Sequence, residues 1–290
     1  MTIRDEIKAS FRRGSIITRL IYVNLTVFLI FRIIYVVLFL TGIKFPLIQF
    51  FEIPGSFGML AHQPWSLITY MFLHFDFIHI IFNLLALYWF GRIFLNYYDQ
   101  KQLLALYLIG GLAGGFFYAL AYSIIPVFNQ SGVVSYMMGA SASIIAILMA
   151  GAFTDPNRKI NLFLIASVPL KYLALAMIIL YIIGISTSNA GGNISHLGGV
   201  IAGYGFAFFI RRGKDITSGI SKIIDWIADL FKPREKIHVV HKKPTRDDYE
   251  YNRQRAADHE ELNRILDKIA EHGYENLTKH EKETLFRQGK

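Results

Sequence analysis

Residues 136–153 read YMMGASASIIAILMAGAF, eighteen in succession without a charged side chain. A run this apolar approaches the roughly 20 residues with which a helix crosses a hydrocarbon core about 30 Å thick. Its polar content is confined to Tyr136, Ser141 and Ser143, with Gly139 and Ala140 just before the first serine. Other apolar runs lie on both sides, at roughly 18–41, 70–95, 101–125, 171–187 and 194–210, the last two short like this one. The expectation is an all-α polytopic membrane protein with six transmembrane helices. The first run is too long for a signal peptide and no small-residue cleavage site follows it, so it reads as an anchor. The stretch Ile160–Leu170 has no clear reading.

Composition agrees with that class. The 290 residues are 53% hydrophobic and only 18% charged, against roughly 25% charged in an average soluble domain. Cysteine is absent, which excludes a disulfide scaffold, a thiolate nucleophile and Cys-ligated metal. Of 30 basic and 21 acidic residues, 12 and 6 fall in 1–210, and 18 and 15 in 211–290. Basic residues mark every second connection: Arg4 to Arg19 before the first run, then Arg92 and Lys101, then Arg158, Lys159 and Lys171, then Arg211, Arg212 and Lys214. The alternate connections, 42–69, 126–135 and 188–193, hold only Lys44. Such alternation places both ends of the chain in the cytoplasm. The net charge of +9 is therefore a topology signal, and nucleic acid is not an expected partner. Segment 42–69 is apolar and broken by Pro46, Pro54 and Pro64, so it is expected as short pieces at the interface.

Ionisable side chains inside a membrane are costly, and each is a functional candidate by default. His74 and His79 fall in the second run, Asn83 four residues on shares a helix face with His79, and His196 falls in the sixth. Arg32, in the first, must snorkel or find a partner. Runs two, four and six cross in one direction, and His79, Asn83, Ser141 and His196 sit in the first half of theirs, at one depth. A hydroxyl, imidazoles and an amide together could supply a nucleophile, a base and an anion-stabilising pocket. Each also has a plainer reading: Ser141 as a small residue at a helix contact, a histidine hydrogen-bonded near a helix end, Asn83 as interhelical glue. A zinc site would want more His or carboxylate ligands, so no metal and no cofactor are expected.

These residues carry a resemblance. Gln63-Pro64-Trp65, Phe72-Leu73-His74 with His79-Ile80-Ile81-Phe82-Asn83, Gly139-Ala140-Ser141-Ala142 and Ser195-His196-Leu197-Gly198-Gly199 occur in order, and over roughly 20–212 the sequence resembles a rhomboid intramembrane serine protease. The resemblance implies a rhomboid-like bundle, with Ser141 as nucleophile and His196 as general base. It implies an oxyanion hole of His79, Asn83 and the Ser141 backbone N–H, with His74, Gly139 and Gly199 supporting. Its substrates would be transmembrane proteins, cut in or near their spans in the lipid bilayer, here of a bacterial cytoplasmic membrane. Three departures stand out: Ser66 follows Trp65 where arginine is frequent, Ala142 replaces a frequent glycine, and Ile145 replaces a tyrosine that stacks on the histidine.

The expected organisation is a basic N-terminus (1–17), a membrane domain (18–212), an amphipathic interfacial helix (213–232), a linker (233–257) and a small helical hairpin (258–290). In the interfacial helix Ile216, Ile220, Ile223, Ile224, Ile227, Leu230 and Phe231 oppose Lys222, Asp225 and Asp229. The hairpin carries an apolar stripe, Leu262, Ile265, Leu266 and Ile269, before Gly273, and a capping box, Thr278 with Glu281. Its residues identify no partner. Alternatives to the protease are a catalytically inactive rhomboid-like protein that binds membrane clients, or a small transporter using the histidines as a proton path.

Overall fold

The computed structural model describes residues 2–129, 134–162, 166–187, 189–230 and 246–288. The chain divides into two compact units, residues 1–232 and 233–290. The first unit begins with α1 (Ile3–Arg13) and α2 (Ile16–Thr41). Short pieces follow: β1 (Ile53–Pro54), α3 (Phe57–His62), α4 (Ser66–Thr69) and a 3-10 turn at Tyr70–Phe72. Then come α5 (Phe77–Phe94), α6 (Gln100–Ile124), β2 (Tyr136–Met137) and α7 (Ser141–Thr154). A hairpin of β3 (Lys159–Leu162) and β4 (Ala166–Pro169) leads into α8 (Leu170–Gly184), α9 (Ala190–Ile210) and α10 (Ser218–Leu230).

Four of these helices, α2, α5, α6 and α9, are long and apolar enough to cross a membrane. The remaining two apolar helices, α7 and α8, have 14 and 15 residues. The six apolar runs thus become four helices of crossing length and two shorter ones. The differences have local causes. Asp76 caps α5 by accepting from the His79 backbone N–H at 2.9 Å, so the helix starts at Phe77 rather than near 70. In the fourth run, β2 pairs antiparallel with β1, Met137 opposite Ile53, and Gly139 has φ of +135°. That backbone disfavours any residue with a Cβ, and the helix begins only at Ser141. Within Ile160–Leu170, unclear in sequence, residues 160–162 and 166–169 belong to the paired strands β3 and β4, with Ile160 opposite Val168; the Lys-Ile-Asn-Leu of β3 has the alternation of a strand.

The core forms around α7. Every residue from Ala142 to Ala152 is buried, the pattern of a helix apolar on all sides. Its neighbours α6 and α9 approach through glycine. A Cβ on Gly114 or Gly110 of α6 would lie 2.5 Å from the Cβ of Ala142 or Ala146, and Gly199 and Gly203 of α9 lie against the carbonyl oxygens of the same two alanines. Gly198 faces α6 instead, where a Cβ would meet the Ala113 oxygen at 2.7 Å. Four-residue spacing of small residues on three helices permits this close contact.

At the other end of α7, Arg211 donates to the carbonyl oxygens of Phe153 and Thr154, satisfying helix-terminal acceptors that would otherwise be orphaned. Tyr98 and Thr154 share a 2.6 Å hydroxyl contact, Ile16 N–H donates to Gln100 Oε1, and Lys101 pairs with Asp225 of α10 at 2.8 Å. The starts of α2 and α6 and the ends of α7 and α9 therefore gather at one end of the bundle, among most of its basic residues. Peripheral α2 is tied in by buried Asn24, which donates to Tyr107 Oη at 3.3 Å, while that hydroxyl donates to the Met71 carbonyl at 2.9 Å. Arg32 finds aromatic partners, its guanidinium 4.8 Å from the Phe75 ring centre and 5.7 Å from that of Tyr35.

The second unit contains α11 (Arg246–His272), a 3-10 turn and α12 (Lys279–Gln288). Where a linker is expected over 233–257, α11 already begins at Arg246. Helix formers such as Gln254, Ala256 and Ala257 sustain its exposed first half. Residues 231–245, with Phe231 and the rest of that stretch, lie outside the described residues. Ile265, Leu277 and Thr284 are buried, whereas Leu266 and Phe286 are exposed. The Thr278–Glu281 box forms, and Lys268 pairs with Glu281 at 2.9 Å. Those contacts, the Thr278 backbone N–H foremost and then Lys268, hold the Glu281 carboxyl down at about 2.

Candidate active site

The site is built at the first turn of α7. Two contacts fix the chain before it: Gly139 N–H donates to the Tyr70 carbonyl at 2.9 Å, and Ala140 N–H points at His74 Nε2 at 3.5 Å. Because β2 and its neighbours also hang from β1, with Gly55 N–H on the Ser135 carbonyl at 2.8 Å, the loop entering α7 is held on both sides. Ser141 follows as the first helical residue, and its Oγ lies 2.7 Å from Nε2 of His196 in α9. Fifty-five residues separate these two in sequence. The glycine contacts of α9 with Ala142 and Ala146 set the approach that brings them together.

His79 and Asn83 come from the first two turns of α5. A Cβ on Gly139 would be 3.1 Å from His79 Cε1, so the imidazole lies against the loop at its glycine. Asn83 is buried and donates from Nδ2 to the His79 carbonyl at 3.0 Å. An amide nitrogen carries two hydrogens, and this bond uses one. Ser141, His196, His79, Asn83 and Gly139 all line one cavity of about 360 Å³. His74 and Gly199 do not. His74 is buried behind Ala140, its ring 5.3 Å from that of His79, and Gly199 lies under Ala142.

Chemically, a hydroxyl in hydrogen-bond contact with a neutral imidazole can be activated as a nucleophile. For Oγ–H to donate to Nε2, the ring proton must sit on Nδ1, which is buried without a hydrogen-bond partner. No carboxylate among the described residues is hydrogen-bonded behind the histidine. Among the described residues, no cluster of three or more His, Cys, Asp or Glu side chains could hold a metal ion.

The rest of the lining is mostly apolar and includes Phe82, Ile145, Leu148, Met177 and Tyr181. Ile145 is buried in the core shared by α7 and α8. The ring against His196 is that of Tyr181, 4.5 Å between centres at 57°. Sequence reasoning misses Tyr181 and Met177, since an aromatic or methionine in an apolar helix carries no polar signal. In the 42–69 stretch, Trp65 donates to the Phe50 carbonyl at 2.8 Å, and Ser66 is buried with its Oγ unpaired.

Comparison with known proteins bears on the family of the chain. The Rhomboid domain family matches residues 61–213, more than half of the chain. A family of unknown function (DUF6576) matches residues 247–288. The RHOMBOID-like protein 12, mitochondrial, of Arabidopsis thaliana is 32% identical over 161 residues, covering 51% of this chain and 47% of its own. RHOMBOID-like protein 1 of the same plant is 26% identical over 152 residues, covering 52% and 36%. The matches therefore span about half or less of either relative's length. With the apolar helices and the matched domain on the page, the chain is an integral membrane protein that belongs to the rhomboid family.

Proposed function

We propose that the protein is an intramembrane serine endopeptidase. The single observation that carries this reading is the 2.7 Å contact of Ser141 Oγ with His196 Nε2 inside the helix bundle. In the proposed reaction Ser141 Oγ attacks a substrate carbonyl carbon while its proton passes to Nε2. The tetrahedral oxyanion is met by donors from Asn83, His79 and the Ser141 backbone N–H, which stabilise charge that develops only on reaction. Collapse breaks the C–N bond, and the imidazolium returns its proton to the leaving amine. Water then attacks the acyl ester, His196 takes its proton, and Ser141 is restored when the acid departs.

The substrates proposed are transmembrane segments, whose carbonyls reach such a depth. A helix of 14 residues spans only about 21 Å, less than the roughly 30 Å of hydrocarbon. With α7 ending among basic residues, its Ser141 end lies below the opposite surface. On this reading α2, α5, α6, α7, α8 and α9 all cross, and the basic end faces the cytoplasm. Helix α10 then rests at the headgroups: Ile223, Trp226, Ile227 and Leu230 are exposed along one face, and Lys101 holds the helix beside the start of α6.

Fluorophosphonate labelling in detergent tests the chemistry. Wild type is expected to label, and Ser141→Ala and His196→Ala are expected not to. Equal labelling of all three sinks the assignment, and no labelling of any favours an inactive client-binding protein.

A further inference from the structure

Among the described residues, the proposed base has no carboxylate behind it and its Nδ1 has no hydrogen-bond partner. A ring so placed can turn about its side-chain torsions unless packing stops it. The packing comes from α8, where Tyr181 lies 4.5 Å from the imidazole, tilted at 57°. One turn along each helix is a second contact: Asn193 Nδ2 donates to the Gly184 carbonyl at 2.8 Å. Gly184 leaves the room, for a Cβ there would stand 2.5 Å from that nitrogen. Tyr181 and Gly184 are three residues apart on α8, as are Asn193 and His196 on α9. The two contacts are adjacent rungs of one antiparallel pair.

We propose that Tyr181 is the positioning residue for His196, and that the Asn193–Gly184 clamp fixes the register in which its ring meets the imidazole. The inference rests on the proposed hydrolase reading. Residue 145, four after the serine, presents only an aliphatic side chain to the same cavity, so the restraint is supplied by a neighbouring helix instead of by the serine's own. A base displaced by about 1 Å can lose 100-fold in rate. Substrate contact is not required of Tyr181, so its loss should fall on turnover rather than on substrate affinity.

Purified full-length Tyr181→Leu, Tyr181→Phe and Asn193→Ala, with wild type, would be compared in three measurements. Fluorophosphonate labelling rate and hydrolysis of a fluorogenic transmembrane peptide report function. Histidine ring-proton NMR, with the His196 signal assigned by its absence in His196→Ala, reports the contact without activity. For Tyr181→Leu, labelling rate and kcat should fall at least about tenfold with KM within about twofold, as loss of orientation predicts. Tyr181→Phe should restore both, and Asn193→Ala should fall between. The His196 ring protons should move downfield in Tyr181→Leu, as the aromatic ring current is lost, and not in Tyr181→Phe. Reactive wild type with an equally reactive Tyr181→Leu overturns the positioning role and leaves the hydrolase reading intact. Unreactive wild type sinks the hydrolase reading, and the NMR shift still decides the contact: an unmoved His196 signal overturns it.

Discussion

At the scale of single residues, the site depends on polar groups placed where lipid gives them no alternative partner. Ser141 Oγ and His196 Nε2 meet at 2.7 Å, and Asn83 keeps one amide hydrogen beyond the bond it makes to its own helix. If that hydrogen serves the oxyanion, Asn83→Ala should lower kcat by about 100-fold, in the range found for a lost oxyanion donor. KM for a transmembrane peptide should barely change, and kinetics at saturating substrate check it; an unchanged kcat removes Asn83 from the mechanism. These polar residues were legible in the sequence because an imidazole or amide in an apolar run is conspicuous. Tyr181 was not, for a ring among leucines and isoleucines is what any membrane helix contains. Its significance depends on the rotation of α8, which periodicity cannot supply when nearly every position is apolar.

At the scale of elements, the three helices α6, α7 and α9 are held by spacing rather than by side-chain bulk. Gly199 lies against the Ala142 backbone, one residue from the serine, while a Cβ on Gly205 would meet nothing within 4 Å. Gly199→Ala should therefore destabilise the protein by about 1–3 kcal/mol, the usual result of overpacking a tight contact. Gly205→Ala should be neutral or stabilising by about 0.5–1 kcal/mol, since helix interiors favour alanine over glycine. Thermal unfolding in detergent distinguishes them, and equal midpoints would show that the approach of α9 to α7 is not tight. The start of α12 was legible in the Thr278–Glu281 box, whereas the caps Asp76 and Asp99, which open α5 and α6, went unread beside long apolar runs. The start of α7 was not legible, because β2 is set by pairing with residues more than eighty positions away and Gly139 by its bond to the Tyr70 carbonyl.

At the scale of the whole molecule, charge orders the membrane unit. The contacts of Arg211, Lys101 and Arg158 gather at one end, and Ser141 stands at the other end of α7. Tryptophan at that basic end offers a check on how the bundle sits. With Trp65→Phe and Trp89→Phe leaving Trp226 as the single tryptophan, brominated lipids in proteoliposomes should quench it most when bromine is near the headgroups. Quenching that is weak at every depth would place α10 in water. The sequence made six apolar runs visible, the last three of them short; α9 reaches 21 residues, whereas α7 and α8 stay at 14 and 15. Their shortness follows from what the chain does at their ends, the β1–β2 pairing before α7 and the β3–β4 hairpin before α8.

Everything proposed for the site comes down to peptide-bond hydrolysis within the membrane by Ser141. It is tested most directly by reconstituting wild type and Ser141→Ala into liposomes with a set of fluorescent transmembrane peptides and sequencing the products by mass spectrometry. New termini inside or beside the hydrophobic segments are expected with wild type and none with Ser141→Ala. Identical fragments from both, or none from a wild type that labels with fluorophosphonate, would contradict it.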